Sequence, residues 1–521
     1  MITTRSWKEL NEVSPILSSE TIDLLEKLGY PTMTPVQEAV IPYFLKSRDV
    51  AVEAVTGSGK TLAYLIPALE TILKFKSGLN VLVLVPTREL AKQVFDVATK
   101  IASHIDGFIP QFMIGGSQVV EDIEHYNKIK PTILIGTPGK LRELIDSMND
   151  IFKKIELFII DEADQILQMG MEAHLTSIFQ SIPRQRRTGL FSATMTPALH
   201  DIIKTGMRNP TFVRIKSSDS ITPIELINFY AIVDPRKKFT QLVEFLRTRV
   251  AESKSIVFVL NGAIVDFFAE TLRIALGSDT KVFPIHGKMK QNDRSANLNS
   301  FRECKSGILL ATDVAARGID IPEIEWIIQF DAPQNPSMFI HRVGRTARIG
   351  NSGNAILFLR DHEDAYVDFL GQDQITMQEM SIESPNDGDE IMQKIRQAIS
   401  QSEALYIKSM KAMVSYVRSY SEHKLKLLLR LKQLDLVALG DSFGLIRLPI
   451  MPELRGKPGV EEFNSQFSEM AEPYMKKNFQ ITDFGGVPEK KPSTIAKNKD
   501  KSQKKSHDNK QIKSKGFYRA K

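Results

Sequence analysis

Residues 49–61 read DVAVEAVTGSGKT, and this stretch decides the architecture. Its first seven residues are short, β-branched and mostly apolar, the pattern of a strand buried on both faces of a parallel sheet. Gly57, Ser58 and Gly59 interrupt that pattern, and Lys60 and Thr61 open a helical one. Backbone N–H groups of such a turn, joined by those at the next helix's N-terminus, form a cradle for phosphate oxygens. Thr56, Gly57, Ser58 and Gly59 would make the cradle, Lys60 would reach the β- and γ-phosphates, and Thr61 would bind Mg²⁺. Ala54 stands at the first position of the usual G-x-x-x-x-G-K-[ST] pattern, so the reading rests on the strand–turn–helix placement.

The same rhythm continues downstream. VLVLVP (81–86), TILIGT (132–137), LFIID (157–161) and TGLFSAT (188–194) read as further buried strands, with helical patterns such as 88–105 between them. Strand–helix alternation predicts a doubly wound parallel sheet with helices on both faces, whose ligands sit at the carboxyl ends of the strands. Asp161 and Glu162 stand at such an end. One carboxylate there can hold Mg²⁺ and the other can orient or deprotonate an attacking water. An acidic helix cap is the plainer reading of that pair, but Lys60 and Thr61 upstream in the right order argue against it.

The pattern breaks at KSSDSITP (216–223) and begins again with SIVFVL (255–260), KVFPIHG (281–287), SGILLATD (306–313), WIIQFD (326–331) and AILFL (355–359). The expected organisation is a first α/β domain over 1–216, a linker at 217–223, and a second α/β domain over 224–374. A helical extension follows over 375–457, with helical periodicity in EIMQKIRQAI and then over 404–439, and then a low-complexity tail over 458–521. With 521 residues the chain exceeds a single core, and a 42% apolar, 25% charged composition suffices to build several. No apolar run is long enough for a transmembrane helix, and MITTRSWKEL lacks the apolar core of a secretory signal. Cys304 is the single cysteine, which excludes an internal disulfide and fits a reducing compartment. The net charge of +6 comes from residues 487–521, which carry eleven Lys and one Arg against three acidic residues. That segment has too few apolar residues to offset its ordering entropy, so it is expected to be disordered and drawn to polyanions, as an RNA-contacting or nuclear-address tail.

Asp161-Glu162-Ala163-Asp164 spell the name of the DEAD-box RNA helicase family, which the chain resembles over roughly residues 5–365. The resemblance implies two tandem RecA-like domains and ATP-driven, RNA-stimulated hydrolysis. GYPTMTPVQ (29–37) resembles the family's Q motif, spanning 5–37, in which Gln37 reads the adenine edge. Trp7 is the candidate aromatic to stack on the base. Asp320 resembles the ribose-binding carboxylate. PTREL (Pro86, Thr87, Arg88), Gly115-Gly116 and TPGK (Thr137, Pro138, Gly139, Lys140) match the first domain's RNA-contacting segments, with Lys140 where Arg is usual. Arg294, Thr312 and Asp313 match those of the second. Ser192, Thr194 and His341 resemble the residues coupling ATP state to duplex opening, and Arg345 and Arg348 resemble arginine fingers that cross the cleft to the γ-phosphate.

The flanks EAVTGSGKTLAY, QRRTGLFSATMT, IHGKMK and HRVGRTARIGNSG, together with 411–457, resemble the nucleolar members that act on ribosomal RNA in 60S assembly. The resemblance implies ATP and Mg²⁺ as cofactors, pre-ribosomal RNA and pre-60S particles as partners, a monomer outside the particle, and a nuclear, nucleolar address. Local strand separation, rather than long translocation, follows from a site split between domains. Two rivals remain: an ATP-gated RNA clamp that does not unwind, and a DNA-translocating helicase. The basic face of the extension (Lys408, Lys411, Arg418, Lys424) is a further candidate RNA contact.

Overall fold

Buried apolar runs become strands because each can pair on both sides and cover both faces. The computed structural model describes residues 5–13, 17–55, 57–75, 78–215, 226–313, 321, 323–346 and 352–475. In the first sheet the strands are β1 (Val50–Glu53), β2 (Val81–Leu84), β3 (Pro110–Met113), β4 (Ile133–Gly136), β5 (Leu157–Ile160), β6 (Arg187–Ser192) and β7 (Thr211–Arg214). They lie parallel in the order β3-β4-β2-β5-β6-β1-β7. The second sheet holds β8 (Leu226–Ile232), β9 (Lys254–Phe258), β10 (Val282–Ile285), β11 (Gly307–Ala311), β12 (Ile324–Gln329), β13 (Gly353–Leu359) and β14 (Gln378–Glu379). Its order is β10-β11-β9-β12-β13-β8-β14, so every strand occupies the place of the strand seven earlier. The two lobes are one topology written twice, as tandem RecA-like folds.

Each sheet has seven strands where five were expected. The missed β3, β7, β8 and β14 lie at or next to a sheet edge, and each has side chains that are partly or wholly exposed. An edge strand buries one face, and so lacks the continuous apolar run of β2, β4 and β5, which are buried throughout.

Helices relevant to the site are α1 (Pro35–Leu45), α2 (Lys60–Phe75), α3 (Arg88–Ala102), α4 (Pro138–Ser147), α5 (Ala163–Gln168), α6 (Gly262–Leu276), α7 (Gln291–Glu303) and α8 (Pro336–Val343). α1 to α3 cover one face of the first sheet, and α4 and α5 the other. The extension adds α9 (Gly388–Gln401), α10 (Glu403–Ser421), α11 (Val460–Gln466) and α12 (Ser468–Met475). Its apolar residues join the second lobe's core in a single cluster, with α10 packed along α6.

Two expectations about this region need correction. The helix expected through 404–439 stops at Ser421, and 424–433 form turns and a short 3₁₀ segment. The Lys424 N–H is given to the Gln334 side chain and the Leu425 N–H to the His423 ring, so helical donors are spent elsewhere. The five leucines of 424–433 cannot share one helix face: Leu429 is buried while Leu427 is 82% exposed. Second, the tail expected from 458 begins later, because α11 and α12 are folded. Tyr474 stacks on Tyr406 with ring centroids 4.3 Å apart, and its hydroxyl bonds the Ser400 carbonyl at 2.8 Å. Residues 476–521, with the basic stretch, lie outside the described residues. Among the described residues, no helix is long and apolar enough to cross a membrane.

Candidate active site

The loop after β1 carries Gly57 and Gly59 at φ 79° and 94°, a left-handed backbone that glycine adopts without steric cost. Gly59 also needs its bare Cα: a Cβ there would stand 2.6 Å from Thr34 Oγ1 and 2.8 Å from Gln37 Nε2. Lys60 opens α2 and turns its ammonium back to donate to the Ala54 carbonyl at 2.9 Å, while Ser58 Oγ donates to the Val55 carbonyl. The loop is thus braced across its mouth. Thr61 sits one residue into the helix, beside Tyr64, and Thr56 lies outside the described residues.

Gln37 serves α1 and the loop together. Its Oε1 accepts from the Thr34 N–H at 2.9 Å as the third residue of a capping box, and its Nε2 donates to the Gly59 carbonyl at 3.1 Å. One lone pair and one N–H of the amide remain for a ligand. Trp7 does not have the expected role. It is 1% exposed, packed among Leu10, Leu25, Met33 and Ile66, and its indole N–H donates to the Tyr30 carbonyl at 2.7 Å. Neither ring face is open to a base. Tyr30, whose backbone Trp7 holds, is the exposed aromatic of that segment at 38%.

β5 delivers the carboxylates. Asp161 is buried, accepts from Tyr64 Oη at 3.0 Å and from the Glu162 N–H, and its carboxyl is raised by burial to about 6 against the pull of Lys60. Glu162 is left-handed (φ 49°, ψ 48°), a conformation costing a non-glycine residue about 1–3 kcal/mol and often found at functional sites. Its Oε2 is buried without a hydrogen-bond partner among the described residues, and its Oε1 lies 3.9 Å from Arg345 Nη2 of the second lobe. A buried carboxylate oxygen left unpaired costs free energy unless a ligand or water meets it.

The lobes are clasped at Asp164. Its Oδ2 meets His341 Nε2 at 2.8 Å, Thr194 Oγ1 at 2.8 Å and Ser337 Oγ at 3.3 Å. Burial alone would raise this carboxyl, but the imidazole and the hydroxyls more than offset that and hold it far below the usual range. His341 Nδ1 faces the Gln165 amide at 3.1 Å, so both ring nitrogens meet the first lobe. Gln168 donates to Ser337, and Ser192 Oγ holds the Thr194 carbonyl. A second clasp joins Glu89 to Arg294 Nη2 at 2.8 Å and to Gln291 Nε2 at 3.2 Å. Glu89, Gln165, Gln168, Gln291 and Ser337 escaped the sequence reading. For Glu89 the available signal was its place inside PTREL, beside Arg88.

At the carboxyl ends of β2, β3 and β4, Thr87 caps α3, and Pro86 leads into it. Arg88 lies against the glycine pair, where a Cβ at Gly115 or Gly116 would come within 3.3 Å of its guanidinium. Thr137 and Pro138 begin α4, the Thr137 side chain makes no cap bond, and the space beside Gly139 is open. Two candidates from this set are corrected. The Lys140 ammonium is 2.9 Å from Asp122 and from Glu143 and donates to the Ser117 carbonyl at 3.0 Å, so all three N–H groups are spent and it cannot also take a phosphate. In the second lobe, Thr312 ends β11, but the Asp313 carboxylate holds Arg342 bidentately at 2.6 and 2.9 Å. It anchors a cation, and a phosphate would be repelled there. Asp320 and Arg348 lie outside the described residues.

A phosphate cradle and carboxylates on one RecA-like lobe, with Arg345 just beyond α8 of the other 3.9 Å from Glu162, define a two-lobed nucleoside triphosphatase. The sequence comparisons specify it. The DEAD/DEAH box helicase family matches residues 34–202, the helicase conserved C-terminal domain 237–350, and the SPB4-like rRNA helicase C-terminal extension 402–451. The ATP-dependent RNA helicase DDX55 of Mus musculus is 42% identical over 474 residues, covering 88% of this chain and 78% of its own. The DEAD-box ATP-dependent RNA helicase 18 of Oryza sativa subsp. japonica is 38% identical, covering 86% and 72%. Among solved structures, Mss116 bound to single-stranded RNA and UDP-BeF has a TM-score of 0.77 over 89% of this chain and 98% of that one, at 23% identity. Dbp5 of S. cerevisiae, bound to RNA and ADP BeF3, has a TM-score of 0.63 at 26% identity, over 74% and 98%. The chain belongs to the DEAD-box ATP-dependent RNA helicase family: it binds RNA and hydrolyses ATP.

Proposed function

We propose that this helicase locally separates strands of pre-ribosomal RNA during 60S subunit assembly in the nucleolus. The observation that carries the mechanism is the split site, with Glu162 on one lobe and Arg345 on the other, 3.9 Å apart. Neither lobe alone has both groups, so hydrolysis requires closure.

In this reading the Gly57–Gly59 turn and the start of α2 hold the phosphates, Lys60 swings from the Ala54 carbonyl to the β- and γ-phosphates, and Gln37 offers its remaining donor and acceptor to the adenine edge. Tyr30, rather than Trp7, is the ring available to the base. Thr61 and Asp161 fit a magnesium ion, because burial disfavours an anion at Asp161 that a divalent cation would stabilise. When bound, that ion screens the charge of the phosphates. Glu162 takes the proton of the attacking water through its unpaired Oε2, and Arg345, with Arg348, meets the charge on the transferred phosphoryl.

RNA would run over the carboxyl ends of β2, β3 and β4 onto the second lobe. Arg88, the Gly115–Gly116 backbone and the open amides of α4 contact phosphate on the first side, with Thr312 and Arg294 on the second. Such contacts read the backbone, so sequence preference is weak. A strand bent to fit both lobes cannot stay in a continuous duplex, and the Asp164 clasp ties that bend to the ATP state. The target assignment is supported by the SPB4-like extension and by relatives of the same type.

Release of a short labelled strand from an RNA duplex, with ATP and with a non-hydrolysable analogue, tests the reaction. Strand release in both, with recycling only under ATP, is expected; hydrolysis without release would leave an RNA clamp. Crosslinking in cells followed by sequencing of attached fragments tests the target: ribosomal RNA precursors are expected, and a predominance of messenger RNA would refute it.

A further inference from the structure

Residues 331–335 lead from β12 into α8, the helix that presents Ser337 and His341 to the seam and runs into the turn bearing Arg345. This short segment is held from outside its own lobe. Tyr416 of α10 donates its hydroxyl to Asp331 Oδ1 at 2.8 Å, His423 Nε2 meets the Ala332 carbonyl at 3.3 Å, and the Lys424 N–H donates to Gln334 Oε1 at 2.9 Å. All three come from the C-terminal extension. From within the lobe, Tyr366 takes the Pro333 carbonyl at 2.9 Å. Asp331 is also the hinge of a second tie, since its carbonyl accepts from Arg342 Nη1 at 2.8 Å, and Arg342 is the neighbour of His341 on α8.

Beneath this segment lies a buried charge network. Lys238, Asp331, Arg360 and Glu363 are all buried, and two extension tyrosines complete it. The Tyr416 hydroxyl accepts from Arg360 Nη2 at 2.8 Å, while Tyr420 donates to Glu363 Oε1 at 2.9 Å. Apolar residues of similar volume would stabilise such a site as well or better, whereas oriented hydrogen bonds fix where groups stand. Tyr416 and Tyr420 lie one helical turn apart in the same network, and of the two only Tyr416 bonds Asp331, while Tyr420 bonds Glu363 and His362.

We propose that Tyr416 is a positioning residue for ATP hydrolysis, holding Asp331 so that α8 meets the first lobe in register and the extension thereby sets the turnover of the ATP site. The proposal rests on the reading of α8 as the element that completes that site. Among the described residues Tyr416 is bonded to Arg360 and Asp331 and not to the ATP-binding loop, so its effect is on turnover after binding.

Steady-state RNA-stimulated hydrolysis by the full chain tests it, with Tyr416→Phe, Tyr420→Phe and His423→Phe compared alongside Arg345→Ala. Tyr416→Phe removes one hydroxyl and keeps the ring. We expect its kcat to fall about 3- to 10-fold with KM for ATP unchanged, and His423→Phe to move kcat in the same direction. Tyr420→Phe loosens the same network without touching Asp331, so its kcat stays at the parent value even where its unfolding temperature falls as far. Equal kcat for Tyr416→Phe and the parent, or equal losses in the two tyrosine variants, would overturn the proposal. Should Tyr416→Phe not fold, unchanged kcat in His423→Phe overturns it. Undiminished hydrolysis by Arg345→Ala would instead remove the underlying reading of α8.

Discussion

At the residue scale the account turns on side chains held in conformations or surroundings that cost free energy. Glu162 is the clearest, left-handed and with one carboxylate oxygen unpaired among the described residues. Glu162→Gln keeps shape and removes the base, so RNA-stimulated turnover should fall at least about 100-fold, since positioned proton transfer contributes roughly 10²–10⁴. ATP-bound protein should then accumulate on RNA, seen as slowed RNA dissociation in the presence of ATP; parental turnover would contradict the assignment. Lys140 makes the opposite case. Its ammonium is fully paired, so Lys140→Met should destabilise the first lobe by about 1–3 kcal/mol by stranding Asp122. The salt dependence of RNA binding should not change, because no phosphate contact is lost; a shallower slope would restore Lys140 to the RNA. Which of these two residues meets a ligand was not legible in the sequence. Both sit in motifs with the right charge, and only the neighbours Asp122 and Glu143, brought up by α4 and the helix before it, separate them.

At the scale of elements, the strand–turn–helix at 49–61 was legible because covalent neighbours suffice to build it. Buried central strands were legible for the same reason. Edge strands were not, nor was the seam: Glu89, Gln165 and Ser337 matter through partners 173 to 202 positions away, which no local pattern encodes. Trp7 was misread because an aromatic in the right region satisfies the pattern whether it stacks on a base or on Leu10. The extension's network gives a pH test. Burial would raise the Glu363 carboxyl, but Arg360 and Lys238 outweigh it and lower it from 4.5 to about 2. A depressed carboxyl stabilises fully above its unfolded value and loses that contribution as pH falls toward the folded one. Glu363→Gln should therefore lower the unfolding temperature at pH 7, with the gap to the parent narrowing below about pH 4.5. A gap that widened in acid would contradict the pairing.

At the scale of the whole molecule, the two sheets repeat one strand order, yet the copies have diverged into complementary halves. The first keeps the phosphate loop and carboxylates; the second keeps the arginines and carries the extension, which joins its core. Because the lobes meet through a few buried polar contacts at Asp164 and Glu89, the closed form depends on those contacts being made together. His341→Ala should separate nucleotide binding from turnover, lowering RNA-stimulated kcat about 10-fold or more while leaving ATP affinity of the RNA-free protein unchanged. An equal loss of both would mean that His341 serves the nucleotide pocket directly.

The most direct test of the split site is RNA-stimulated ATP hydrolysis by the full chain carrying Arg345→Ala. An arginine meeting the transferred phosphoryl across the seam contributes about 10³–10⁵ in rate, so kcat should collapse while ATP still binds the first lobe. Hydrolysis at the parental rate would mean that the first lobe is complete without the second.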